Sequence, residues 1–159
     1  MIRFEARNPN FEARTRDSFA RQTFMATIGA TLDKVAPGTV EISLPYREDL
    51  CQQHGYFHGG VIGTLADNAG GYAAFSLMAA DASVLTIEYK MNIVSPGAGE
   101  RLVAVGSVIR PGRQISVSDV KVYAHGADGA PKLCATALCT LMVMAGMADE
   151  KQVRDPNVG

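Results

Sequence analysis

The chain has 159 residues, a length that fits one domain built around one core. Charged residues make up 19% and the formal net charge is -1, so no broad basic field exists to hold a nucleic-acid backbone or an anionic membrane surface. A small anionic ligand is not excluded, since a few Arg or Lys side chains suffice for two or three phosphates.

The apolar share of 47%, without a low-complexity tract, belongs to a chain that folds. The first residues, MIRFEARNPNFEARTRDSFARQ, mix Arg with Glu and Asp and lack the apolar run of a secretory signal, so the expected location is cytoplasmic. Cys51, Cys134 and Cys139 have no CxxC spacing and read as reduced, mostly buried thiols.

In chain order, Thr15 to Gly29 spaces Phe19, Phe24, Met25 and Ile28 as an amphipathic packing helix closed by Gly29. Gly38 to Leu44 alternates Val40, Ile42 and Leu44 with polar residues and reads as a first strand, followed by a loop from Pro45 to His58. Gly59 to about Met78 is apolar on every side and reads as a central helix wrapped by protein. A membrane span is rejected there, because five glycines and a central carboxylate, Asp67, suit an interior helix better. Ser83 to Val94 alternates, with Leu85, Ile87, Tyr89, Met91 and Ile93 on a dry face and Thr86, Glu88, Lys90 and Asn92 on a polar one. Three β-rich runs follow, about Arg101 to Arg110, Gln114 to Ala124 and Lys132 to Met144, divided by turns at Pro111-Gly112 and Gly126 to Pro131. The segment from about 148 to 159 is charged and aperiodic, a frayed tail. One strand, one apolar helix and four strands make an α+β domain over 1–159, its antiparallel sheet wrapped around the central helix.

Asp67 is the sharpest chemical feature. A carboxylate inside an apolar helix is retained when it is paired, hydrogen-bonded or used in chemistry, and both a structural and a catalytic role fit. His58-Gly59-Gly60 stands directly before the helix, where free backbone N–H groups and the positive end of the helix dipole suit an oxyanion, and where glycine also serves a tight turn.

These residues sit in QQHGYFHGGVIGTLADNAGGYAAFS, followed by VLTIEYKMNIVSPGAGE, and the pair resembles the PaaI-like acyl-CoA thioesterases of the hotdog-fold superfamily. The resemblance rests on HGG, on the LAD that ends in Asp67, and on the T-x-E-Y-K-x-N strand, and in looser form it covers about residues 15 to 145, including the turn at Pro111 to Arg113. It implies that Gly59 polarises the thioester carbonyl through its N–H and that Asp67 activates water or attacks the carbonyl itself. It places Gln52, or its neighbour Gln53, where an Asn or Gln orients the reacting groups, and Thr86 where a hydroxyl positions the water. Hotdog active sites lie at dimer interfaces, so a homodimer or homotetramer is expected.

Helix geometry makes the same point about assembly. Gly59 and Asp67 are eight residues apart, roughly 12 Å along an α-helix, too far for both to touch one carbonyl. His58 suits either catalysis or a structural bond that shapes the loop. Lys90, Arg110 and Arg113 are candidates for the phosphates of coenzyme A, which enters as part of the substrate and not as a cofactor. Tyr56, Phe57, Tyr72, Phe75 and Met78 are candidates for an acyl pocket or for the core. No His spacing suggests a metal, and Cys51 with His54 lacks a third group to make a nucleophile pair. Two other readings stay open: a hotdog hydratase or dehydratase, which would want a His placed opposite Asp67, and a non-catalytic acyl-CoA-binding module. The acyl group is not legible.

Overall fold

The computed structural model describes residues 4–127 and 129–150. Two short helices, α1 (Phe11–Ala20) and α2 (Thr23–Ile28), lead into a hairpin of β1 (Thr31–Ala36) and β2 (Thr39–Pro45). A single 3-10 turn at Glu48–Leu50 precedes the long helix α3 (Gly59–Phe75), after which come β3 (Ser83–Ile93), β4 (Arg101–Arg110), β5 (Ile115–His125) and β6 (Lys132–Met144). The six strands form one antiparallel sheet in the order β1-β2-β4-β5-β6-β3, and α3 lies across its inner face, against every strand from β2 to β3. This is the hotdog fold. No helix of the described residues is long and apolar enough to cross a membrane.

Helix and sheet approach closely because small residues line the seam. A Cβ on Gly106 of β4 would lie 2.1 Å from the Ala69 carbonyl oxygen, and one on Gly70 would lie 2.8 Å from Cys139 Sγ. Ser118 Oγ donates to Gly70 O at 3.0 Å across the same seam, so a buried hydroxyl is satisfied by the helix backbone. Val40, Ile42, Leu65, Leu102, Val120, Val122 and Leu141 fill the space around it, each fully buried.

Four expectations need correction. The segment read as one helix from Thr15 to Gly29 is two, because Gln22 takes an extended ψ of 96° between them; Gly29, at φ 81°, does close the second. Arg14 pins α1 to the far end of α3, donating to Ala79 O and Ala82 O with its guanidinium 4.1 Å from the Phe75 ring centroid. The strand at Gly38 to Leu44 is the second and not the first, since β1 precedes it. Helix α3 ends at Phe75, where Ser76 Oγ donates to Ala73 O and accepts from Gly38 N–H. Arg21 also pairs with Asp149 at 2.7 Å, and residues 151–159, most of the segment expected to be a frayed tail, lie outside the described residues.

The fourth correction bears on the site. Strand β3 carries a bulge: Thr86 pairs with Leu141 and Glu88 with Thr140, leaving Ile87 unpaired. A bulge reverses the alternation beyond it, so Thr86 shares the helix side with Tyr89, Met91 and Ile93 while Glu88 points away and accepts from Thr140 Oγ1. The registry agrees, since Thr86, Tyr89, Met91 and Ile93 stand opposite the buried Leu141, Cys139, Ala137 and Ala135 of β6.

Candidate active site

Helix α3 begins with a cap made by His58. Its Nδ1 accepts from Gly60 N–H at 2.9 Å, which satisfies one of the free donors of the first turn and fixes the unprotonated nitrogen toward the helix. The N–H groups of Val61 and Ile62 donate to His58 O, whereas the Gly59 N–H meets no acceptor among the described residues. That free donor lines a cavity of about 380 Å³ with Gln52, Tyr56, Phe57, Ile62 and Ile93. Gln52 Oε1 accepts from His54 N–H within the loop, while Gln53 is exposed and outside the cavity.

Asp67 lies two turns further along α3, half-buried, with Oδ1 accepting from Thr86 Oγ1 at 2.7 Å. The bulge at Ile87 makes this bond possible. Asp67 and Thr86 line a second cavity, of about 620 Å³, with Asn68, Gly71 and Tyr72 of α3, Ser18, Arg21, Gln22 and Thr23 from the N-terminal helices, and Asp149. One chain therefore brings Gly59 together with Gln52 and Asp67 together with Thr86, and keeps the two pairs in separate cavities at opposite ends of β3.

The sequence profile of the thioesterase superfamily matches residues 54–128, a span that holds His58, Gly59, Asp67 and Thr86. A crystal structure of a thioesterase family protein from Silicibacter pomeroyi is 46% identical with a TM-score of 0.83, over 86% of this chain and 99% of that one. The chain belongs to the thioesterase superfamily. It is a hydrolase of that family, and a 1,4-dihydroxy-2-naphthoyl-CoA hydrolase of Listeria monocytogenes is 28% identical to it over 74% of this chain and 92% of the other. The PaaI protein of the phenylacetic acid degradation operon of Escherichia coli is similar in fold, with a TM-score of 0.76 at 18% identity over 90% of this chain and 99% of that one.

The remaining candidates of this thioesterase divide by location. Tyr56 and Phe57 line the cavity of Gly59, and Tyr72 lines that of Asp67, but Phe75 and Met78 are core residues, 1% and 4% exposed. Arg110 and Arg113 are exposed at the β4–β5 hairpin, and Lys90 is exposed on the outward side of β3 with Nζ bonded to Asn92 Oδ1; none of the three lines either cavity. Cys51 Sγ donates to Arg47 O and has no bond to His54. Ser18, Gln22 and Asn68 were not singled out by sequence, because their common feature is a cavity wall assembled from α1, α2 and α3.

Proposed function

We propose that this thioesterase hydrolyses an acyl-CoA at sites shared between two copies of the chain, Asp67 and Thr86 of one acting with Gly59 and Gln52 of the other. The observation that carries the reading is the separation of the two pairs within one chain, at the two ends of an edge strand. Strand β3 exposes Leu85, Ile87, Tyr89 and Ile93 to between 43% and 56%, a long apolar edge of the kind that pairs with another strand. Antiparallel pairing of β3 with its copy across a twofold axis would set the Thr86 end of one chain against the Ile93 end of the other. That arrangement unites the Asp67 cavity with the Gly59 cavity twice per dimer.

In the united site the Gly59 N–H and the dipole of α3 stabilise the oxyanion that develops on the thioester carbonyl. Thr86 holds one oxygen of the Asp67 carboxylate, leaving the other to accept a proton from water as the water oxygen bonds to the carbonyl carbon. The C–S bond then breaks, the coenzyme A thiolate takes up the proton and leaves as the thiol, and the acid remains. Gln52 orients the thioester beside the Gly59 N–H. His58 acts through the cap, which holds the first turn open to the ligand. Arg110 stands at the end of the sheet nearer Thr86, in a row with Val117, Thr140 and Glu88, and with Arg113 in the adjoining β4–β5 turn it offers cations to the phosphates of coenzyme A, with Lys90 as a third. The test is thiol release from an acyl-CoA panel by the parent and by Asp67→Asn, which keeps shape and removes basicity. Loss of about 10²-fold or more in kcat with unchanged circular dichroism supports the reading, and turnover within a few-fold of the parent removes Asp67 from the mechanism.

A further inference from the structure

The cavity of Gly59 is framed by a loop. Residues 46–58 hold little regular structure beyond the 3-10 turn at Glu48–Leu50 and a bridge between Cys51 and Phe57, yet they carry Gln52 and Tyr56 to the cavity and lead into the first turn of α3. Backbone bonds fix the two ends of the loop, Tyr46 N–H to Glu100 O at 2.7 Å and Phe57 N–H to Gly97 O at 2.9 Å. Arg47 fixes the turn between them. Its Nε and Nη2 donate to the two oxygens of Asp49 at 3.0 and 2.6 Å, and its Nη1 donates at 3.0 Å to Thr27 O, in the last turn of α2. Carbonyls of a last turn have no partner inside their own helix, so the third nitrogen of the guanidinium meets an acceptor free to take it.

From that anchor the bonds run to the site. Arg47 O accepts from Leu50 N–H at 3.0 Å and from Cys51 Sγ, and Leu50 O accepts at 3.0 Å from the N–H of His58, the residue before Gly59. Gln52 N–H donates to Tyr56 O and Gly55 N–H to Gln52 O, both at 2.9 Å, which closes the turn that carries Gln52. Arg47 and Asp49 lie at the surface, where an ion pair adds little to stability. Three directed donors on one planar group instead fix a geometry.

We infer that Arg47 is a positioning residue for the thioester site, holding the Gly59 N–H and Gln52 against the carbonyl by clamping their loop to α2. The inference rests on the reading of that site as shared between two copies of the chain. It adds a direction. Arg47 acts on the active site that its own Gly59 completes with the Asp67 of the other copy, and not on the Asp67 cavity walled by its own α2. A misplacement of about 1 Å in a reacting group can cost on the order of 10²-fold in rate, so loss of the clamp is expected in kcat.

The experiment reads thiol release from dimers with a single working site. A chain carrying Asp67→Asn, which still offers Gly59, and a chain carrying Gly59→Pro, which still offers Asp67, are tagged differently, refolded together and purified through both tags. Arg47→Met, which keeps the apolar stem and removes the donors, is then placed on one chain or on the other. On the Asp67→Asn chain it should lower kcat for acyl-CoA by about 10-fold or more, whereas on the Gly59→Pro chain, whose Gly59 half is already disabled, kcat should stay within about two-fold. Circular dichroism and Tm of each dimer verify folding. Equal kcat in the two placements, a loss confined to the Gly59→Pro chain, or a dimer that no longer folds overturns the inference, the last by assigning the clamp to the fold. Each of these leaves the shared site standing. A doubly tagged dimer that releases no thiol even with Arg47 intact overturns the shared site itself.

Discussion

Thr86 Oγ1 donates to Asp67 Oδ1 at 2.7 Å from a strand position whose alternation, read from the sequence, points the other way. The bulge at Ile87 turns Thr86 toward α3 and leaves Glu88, Lys90 and Asn92 outside. A hydrogen bond to a charged group is worth about 1.5–3 kcal/mol, so Thr86→Ala is expected to lower kcat by about 10-fold or more. Thr86→Ser keeps the hydroxyl and should stay within a few-fold of the parent. Equal activity of the Ala and Ser variants would remove Thr86 from the site.

His58 is expected to act on stability and only indirectly on rate. Loss of a side-chain cap costs about 0.5–2 kcal/mol, so His58→Ala should lower Tm by a few degrees, whereas His58→Asn supplies another cap acceptor and should restore it. Thiol release by His58→Asn should remain near the parental rate. A deep loss of kcat in His58→Asn, with Tm intact, would assign the imidazole to the chemistry.

Much of this architecture is legible because periodicity survives in the chain. The apolar run of α3 and the alternation in β2, β4, β5 and β6 announce a sheet around a helix, and HGG with Asp67 announces the ends of the site. Strand β1 is not legible: TLDKVA lies at the sheet edge with Asp33 and Lys34 exposed, so no buried face marks it. The break between α1 and α2 carries no glycine or proline, and the bulge falls on an isoleucine that continues the β pattern. The wall of Ser18, Gln22 and Tyr72 joins residues some fifty positions apart, which no local spacing encodes.

Arg113 offers a remote contact whose loss should be felt only when the phosphates are present. Arg113→Ala is expected to raise KM for acyl-CoA and hardly to affect a truncated thioester lacking the nucleotide. An equal effect on both substrates would separate Arg113 from coenzyme A binding.

Cys139 reports the dryness of the seam behind Asp67. Burial, with Asp67 and Asp119 adding to it, pushes its thiol up to about 12. The unfolded chain gives up that proton near 8.5, so above this pH the folded state binds one proton more and stability falls as pH rises toward the folded value. The slope for one proton is about 1.4 kcal/mol per pH unit. Urea unfolding at increasing alkaline pH should show a steeper decline for the parent than for Cys139→Ala, and parallel declines would contradict the assignment.

The shared site is tested most directly by mixing two inactive variants. Gly59 is the first residue of α3, its N–H has no partner among the described residues, and proline is well tolerated at that position, so Gly59→Pro removes the donor while the helix is kept. Asp67→Asn removes the carboxylate. Each variant alone should lose about 10²-fold or more in thiol release. When differently tagged copies are unfolded, mixed in equal amounts and refolded, half of the dimers pair unlike chains, and each of those holds one intact site. Recovery of roughly a quarter of parental activity is expected, carried by the species that bears both tags. A mixture that contains doubly tagged dimers yet stays as inactive as either variant alone would show that Gly59 and Asp67 do not serve one carbonyl across the interface.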